Sequence, residues 1–448
     1  MATEEVLAEI RSLIAEREES GVVGLAGRLG AAEWADVVPR LDPAEVAVLL
    51  QWLPEGEIPQ LLEELDPATA AAILRTLTRQ AAADLLEAMD PDDAADVVEE
   101  LPEAEAEQIL IEMVPAEAAE IRELMAFPPD SAGGLMTPAF VSVAPDLRAD
   151  QAIAALRLVA EEAETVNYVY VIDAEEHLLG VLSLHNLVLT RPETPVRSLM
   201  VGDVVRVRAD ADQETAARLL TDHNLLALPV VDAEDHLLGI ITQDDVADVL
   251  EEEATEDIER LGGSQPLETP YRLASVPLLV RRRVGWLLLL FVAGLLTAQV
   301  LEAFDDDLSE VQALTFFIPL IIGIGGNVGS QTVTTLVRAM AVGEVHLRDV
   351  GWVLGKEMAV GVAIGLILAV AGFLRAGVDQ SREIGLVVGV TIVCVTVWSA
   401  TVAAVLPLVL RRLRVDPAVV SAPLITTLVD ATGLLIYLSV ARLVLTQI

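Results

Sequence analysis

Ser421-Ala-Pro-Leu-Ile-Thr-Thr-Leu-Val-Asp430-Ala-Thr-Gly433 opens an apolar run that reaches Leu445, and Asp430 is the only acidic residue from Pro417 to the C-terminus. Asp430 follows Pro423 by seven residues, which at helical rise puts it roughly 10 Å inside the run. A carboxylate at that depth costs about 3 kcal/mol or more on insertion scales, so it should face a water-filled cavity or a partner rather than lipid. The bland alternative is a structural acid satisfied by the hydroxyls of Thr426, Thr427 or Thr432.

Working outward, the charge of the 448-residue chain is unevenly divided. Residues 1–270 carry 15 Lys and Arg against 58 Asp and Glu, and the remainder carries 13 against 12. An acidic half joined to a neutral apolar half predicts a membrane protein with a large aqueous domain. Such acidity argues against nucleic acid and anionic lipid headgroups as partners and favours cations. Cys394 is the single cysteine, so there is no disulfide framework and no thiolate metal site. The acidic start, Met1-Ala-Thr-Glu-Glu, predicts no cleaved signal peptide.

The soluble half holds two repeats. Leu41-Asp-Pro, Leu65-Asp-Pro, Met89-Asp-Pro and Met113-Val-Pro recur every 24 residues. Asp42, Asp66 and Asp90 read as N-caps and the following prolines as first helical residues, giving a solenoid of short helices over 1–127. Phe127-Pro-Pro-Asp-Ser-Ala-Gly-Gly-Leu-Met-Thr-Pro138 breaks that pattern. Beyond it His177-Leu-Leu-Gly-Val-Leu-Ser183 recurs as His236-Leu-Leu-Gly-Ile-Ile-Thr242, each preceded by a helix and a β-branched run. These residues resemble a tandem pair of cystathionine-β-synthase (CBS) modules, at 128–199 and 200–252. From Leu219 to Glu259 there are thirteen acids and no Lys or Arg, and Asp245, Asp248, Glu252 and Glu256 share one side of a predicted helix. Unmixed charge on one side is either strained or neutralised by cations.

Residues 253–280 read as a connecting plug helix and 281–448 as a domain of five spans, at about 284–304, 313–337, 351–374, 384–410 and 423–446. Arg281 to Arg283, Arg338, Arg348, Arg411, Arg412 and Arg414 fall on one side, which places that side and the acidic half in the cytosol. The second span contains Gly323, Gly325, Gly326, Asn327, Gly329 and Gln331, which weaken the helix or permit close backbone approach and suggest a pore lining. Amide and carbonyl oxygens beside one carboxylate suit hydrated Mg²⁺; Zn²⁺ or Cu²⁺ would call for His or Cys, and all five histidines lie outside the spans. Two rival readings are a nucleotide-regulated carrier of another ion or solute and an intramembrane hydrolase. An anion path would want Arg or Lys at the position of Asp430, and a hydrolase a second aspartate or a histidine inside the spans.

Taken in order, the 24-residue repeats, Asp130-Ser-Ala-Gly-Gly-Leu-Met-Thr137, the CBS pair, Arg260-Leu-Gly-Gly263, Gly325-Gly-Asn-Val-Gly-Ser-Gln331 and Pro423-Leu-Ile-Thr-Thr-Leu-Val-Asp430 resemble the MgtE-type magnesium channel family over nearly the whole chain. The resemblance implies a multidomain membrane protein: an all-α helical-repeat N-domain, an α/β tandem CBS domain and a five-helix transmembrane domain. It implies a non-enzymatic homodimer in the cytoplasmic membrane that admits hydrated Mg²⁺ at Asp430, with Asn327 alongside, and a CBS cleft that takes nucleotides, such as ATP, or ions. It further implies that cytosolic Mg²⁺ closes the pore at Asp92, Asp93, Asp96, Gly134, Asp212, Glu214, Asp245, Asp248, Glu253, Glu256, Asp257 and Asp416. Asn224 stands where some members carry a further acid.

Overall fold

A computed structural model describes residues 3–160, 163–267, 269, 271 and 274–445. Part of the expected connecting segment (residues 268, 270, 272 and 273) and the end of the fifth expected span (Thr446) lie outside the described residues. The chain divides into two compact units, residues 1–252 and 253–448.

In the first unit the helices Pro43–Trp52, Pro67–Leu74, Pro91–Glu99 (α1) and Pro115–Leu124 start on the prolines of the 24-residue repeat. Asp66 caps its helix by accepting from the Thr69 N–H at 2.9 Å, and at Asp42 the Glu45 carboxylate takes the backbone N–H at 2.8 Å. Asp90 occupies the N-cap position without a cap bond from its carboxylate, which is turned to other use below. Each repeat buries its aliphatics on its neighbours, with Leu49, Leu62, Leu74, Leu86 and Val98 essentially inaccessible.

The CBS copies fold as twin three-stranded sheets. β1 (Ser142–Val143) pairs parallel with β2 (Tyr168–Ile172), which pairs antiparallel with β3 (Leu178–Ser183). β4 (Val207–Arg208), β5 (Ala227–Val231) and β6 (Leu237–Thr242) repeat that order, and both central strands shift register at the same point, Val171/Ile172 and Val230/Val231. Gly134 lies in a turn where a Cβ would come within 2.6 Å of the Pro128 carbonyl and 2.7 Å of the Pro129 carbonyl. No side chain fits there. That turn lies against the start of α2 (Gln213–Asp222), the Ala132 N–H donating to the Ala211 carbonyl at 2.8 Å. A long helix, α3 (Gln243–Leu261), leads out of the second copy.

The second unit holds five helices long and apolar enough to cross a membrane: α4 (Val276–Ala303), α5 (Ile318–Ala341), α6 (Val350–Asp379), α7 (Arg382–Arg412) and α8 (Ala422–Val444). α5 is one continuous helix, so of the two roles expected for its glycines the observed one is close packing. A Cβ on Gly325 would lie 2.7 Å from Val429, one on Gly326 2.8 Å from Thr426, and one on Gly329 2.6 Å from the Ser399 hydroxyl. The Ser399 hydroxyl donates to the Gly325 carbonyl at 2.6 Å. Gly329→Val should therefore lower the melting temperature of the purified protein through an overpacking cost of about 1–3 kcal/mol, whereas Gly323→Ala, with open space around it, should not. Thermal unfolding in detergent reads the difference.

At the other end of α8 the Arg442 guanidinium donates to Asp307 at 2.7 Å and lies over the Phe304 ring, and the Tyr437 hydroxyl donates to the Leu314 carbonyl at 3.0 Å. These contacts anchor α8 to the segment before α5. α4 buries no residue within the chain.

Candidate cation sites in the two units

Asp430 is half-buried on α8, one helical turn beyond Thr426. Thr426 faces Gly326 and its hydroxyl lies 3.3 Å from that of Ser330, so Asp430 follows directly on the seam between α5 and α8. Asn327 is exposed on α5, next to Gly326 in that seam. The hydroxyls that could have satisfied the acid are spent elsewhere. Thr426, Thr427 and Thr432 donate to the carbonyls of Ala422, Pro423 and Leu428 at 3.0, 2.9 and 2.9 Å. Among the described residues no hydrogen bond or ion pair falls on the Asp430 carboxylate. The three hydroxyls named for the structural-acid reading therefore do not donate to that carboxylate.

Two tryptophans brace the last span. Trp286 Nε1 donates to Ser421 Oγ at 3.0 Å and Trp398 Nε1 to Thr432 Oγ1 at 2.8 Å. One acid inside the spans escaped the sequence reading. Glu357, the eighth residue of α6, accepts from the Thr332 hydroxyl of α5 at 3.4 Å. Lys356-Glu357, which interrupts an otherwise apolar run, is the sequence signal for it.

At the foot of α8, Asp416 caps the turn before the helix by accepting from the Ala418 N–H at 2.8 Å, and its other oxygen pairs with Arg260 of α3. Arg260 also pairs with Glu256. Two of the expected cation ligands are thus drawn together, with a guanidinium supplying the positive charge between them. Glu253 and Asp257 flank this group on the same helix and engage in further interactions of their own.

In the first unit α1 presents Asp92, Asp93 and Asp96, and the start of α3 presents Asp245 close enough to raise the pKa of all three. Burial, reinforced by Asp245, pushes Asp92 well above the usual carboxylate range. Burial and then Asp92 push Asp93 up to about 9, and burial and then Glu99 push Asp96 up to about 7. Glu164, half-buried and facing Asp90 and Asp245, rises to about 8 through that burial and then those acids. Asp245 is raised by burial although it accepts from Thr242, whose N–H lies at 2.9 Å. Asp248, on the exposed side of α3, is raised by partial burial and by Glu251. Asp92 Oδ1 is buried with no hydrogen-bond partner.

Close acids, one with an orphaned oxygen, form a cluster that fits a hard divalent cation, whose charge would offset the repulsion. Glu63 and Asp90 belong to it as well. Their carboxylate oxygens and one of Asp93 lie within 4.8 Å of one another, and Glu63 accepts from the Asp90 N–H at 3.0 Å. The repeat could have found that pair, because Glu87 reaches the Val114 N–H one period on.

The remaining expected residues stand apart. Asp212 caps α2, accepting from the Glu214 N–H at 2.9 Å next to the Gly134 turn, and Glu214 is paired with Arg218 at 2.6 Å. Asn224 has φ +50°, a left-handed conformation that Asn tolerates better than most residues.

Known families match successive parts of the chain. Family profiles match at residues 318–440 (MgtE, divalent cation transporter), 29–130 (MgtE intracellular N domain), and 132–192 and 196–252 (CBS domain). A magnesium transporter MgtE of Thermus thermophilus is 46% identical over 328 residues, 72% of each chain. The chain belongs to the MgtE family of divalent cation transporters.

The Bacillus subtilis magnesium transporter MgtE is 36% identical over 72% of this chain and 71% of its own. Among solved structures, the cytosolic domain of the Mg²⁺ channel MgtE in complex with ATP is 33% identical, covers 54% of this chain and 99% of its own, and superposes with a TM-score of 0.52. The soluble part of a magnesium transporter gives 31%, 56%, 99% and 0.52. MgtE relatives are transporters, not enzymes.

Proposed function

We propose that this MgtE-family chain is a Mg²⁺-selective channel that imports hydrated Mg²⁺ across the cytoplasmic membrane and closes when cytosolic Mg²⁺ binds its acidic soluble unit. The observation that carries the permeation half is the unpartnered Asp430 carboxylate beside the glycine seam of α5. Mg²⁺ gives up its waters reluctantly and is held through one or two carboxylates plus its water shell. One such carboxylate per chain, with no protein donor or cation on it, is available to a hydrated ion. α4 has no buried residue and Asn327 is exposed, so the reading places a second copy of the chain, with the pore between the two, against these surfaces.

The closing half rests on the cluster of Asp92, Asp93, Asp96 and Asp245, joined by Asp248 on α3. Without a divalent ion these carboxyls repel, or hold protons to avoid repelling. Binding Mg²⁺ favours the arrangement that keeps them together. Glu256 and Asp416, with Glu253 and Asp257 on the same helix, form a second group, where Mg²⁺ shares or replaces the charge of Arg260. Gly134, Asp212 and Glu214 form a third, at the start of α2. ATP is the ligand proposed for the CBS cleft, on the strength of the related cytosolic domain described with it. The test is Mg²⁺ uptake into vesicles reconstituted with the purified protein. Uptake should be driven by an inside-negative potential and suppressed by Mg²⁺ on the face bearing the soluble unit; chloride uptake in its place would overturn the reading.

A pH dependence follows. Asp93, Asp96 and Glu164 have folded-state values of about 9, 7 and 8, against about 4 for unfolded carboxylates. The native state therefore holds more protons than the unfolded chain between those limits, and metal-free stability falls as pH rises from about 4 to about 9. Each proton lost leaves charge for a divalent ion to neutralise. Added Mg²⁺ should raise the melting temperature of the full-length protein little at pH 6 and substantially at pH 8.5. Equal shifts at the two pH values would show that these carboxyls do not bind the ion.

A further inference from the structure

The end of α3 is fastened to the membrane-spanning helices by contacts among the chain's own residues. Arg260 is the one basic residue of α3, whose other charges are all acids. Its guanidinium pairs with Glu256 one turn back on its own helix and with Asp416, 156 residues on, at the foot of α8. Asp416 is held in place, its other oxygen taking the Ala418 N–H at 2.8 Å. Without the guanidinium two carboxylates would meet at this point, and like charges repel.

The chain then turns back at once. The Gly263 N–H donates to the Arg260 carbonyl at 2.9 Å, the Ser264 N–H to the Glu259 carbonyl at 3.0 Å and the Leu267 N–H to the Glu259 carboxylate at 2.7 Å. Gly263 is left-handed at φ 78°, and a Cβ there would lie 2.8 Å from the Trp286 ring of α4 and 3.5 Å from Pro423 of α8. Trp286 in turn donates to Ser421, the N-cap of α8, and the Gln265 N–H donates to the Arg282 carbonyl of α4 at 3.1 Å. The turn after α3 therefore rests on the starts of both α4 and α8, and Asp430 lies about two turns further along α8 than Pro423.

We propose that Arg260 is a tethered cation that holds the end of α3 on the foot of α8 whether or not Mg²⁺ is bound there. A guanidinium keeps its charge at any physiological pH and, being part of the chain, stays at a high local concentration. Mg²⁺ then meets two acids already drawn together, so its own contribution at this group is what remains after Arg260. On the reading that α3 is the closing element, on which this consequence rests, Arg260 sets how far the pore rests closed before cytosolic Mg²⁺ acts. It is a positioning residue: it touches the acids and not the permeating ion.

The test is amide hydrogen exchange on the full-length protein in detergent, with Mg²⁺ flux into reconstituted vesicles, for the parent, Arg260→Gln and Arg260→Lys. Without Mg²⁺, the amides of Gly263, Ser264 and Gln265 in Arg260→Gln should exchange about threefold faster or more, the loss expected for a half-exposed ion pair, and flux should rise with them. Lys, which keeps the charge, and added Mg²⁺, which replaces it, should each bring exchange back toward the parent rate. Unchanged exchange in Arg260→Gln, lower flux in that variant, or faster exchange that neither Lys nor Mg²⁺ reverses would overturn the tether. Faster, reversible exchange with no Mg²⁺ flux in any of the three proteins would support the tether and reject the transport reading instead.

Discussion

Asp430→Asn is expected to lower Mg²⁺ flux into reconstituted vesicles by at least about tenfold while leaving the protein folded and membrane-inserted. The substitution keeps the size of the side chain and removes only its charge. A unit charge attracts another at about 4 Å with about 1 kcal/mol in water and about 4 kcal/mol at the effective dielectric near a protein surface. A divalent ion doubles either figure, so even the low end exceeds the 1.4 kcal/mol that makes a factor of ten. Nothing else is positioned to compensate, because the neighbouring threonine hydroxyls donate to carbonyls of their own helix. Folding should be indifferent, since no described residue bonds to that carboxylate in the parent. The comparison that isolates the charge is Asp430→Asn against Asp430→Glu. Restored flux with Glu and lost flux with Asn would assign the effect to charge, whereas equal flux in Asn and parent would remove Asp430 from the path.

Local grammar was legible in the sequence; long-range geometry was not. The proline that recurs every 24 residues starts a helix in each repeat, so the solenoid helices are legible in the sequence. Leu-Leu-Gly after each histidine likewise marked the third strand of each CBS sheet, and continuous apolar runs marked the five spans. The α5 glycines were ambiguous on paper, since the same residues that loosen a helix also admit a neighbour. The side chains of Ser399, Thr426 and Val429, about 70 to 100 residues away, decided for packing.

Burial is what a list of acids cannot show. Asp92 and Asp93 are adjacent in sequence, yet only Asp92 has an oxygen shut away without a partner. Arg260 lies 156 residues from Asp416, so nothing local announced that a guanidinium would join Asp416 to Glu256.

If the proposed closing by cytosolic Mg²⁺ holds, the double substitution Asp245→Asn/Asp248→Asn should leave the protein conducting at Mg²⁺ concentrations that silence the parent. Moving a two-state equilibrium from 1:99 to 99:1 requires about 5.5 kcal/mol of preferential binding to one state. No single exposed carboxylate supplies that, so the closed state has to draw on several groups, of which Asp245 is the acid common to Asp92, Asp93, Asp96 and Glu164. Removing its charge has two opposed effects. Repulsion within the cluster falls, which by itself favours the compact arrangement, and so does the affinity for the ion. If repulsion alone governed gating, the double variant would close more readily than the parent and stay closed without Mg²⁺. If bound Mg²⁺ is what holds the closed state, the variant should need a Mg²⁺ concentration at least about tenfold higher to close, equivalent to about 1.4 kcal/mol of lost preference. Patch recordings across a Mg²⁺ series on the soluble-unit face separate the two by the direction of the shift. A rightward shift supports the bound ion as the latch, and a leftward shift or none rejects it.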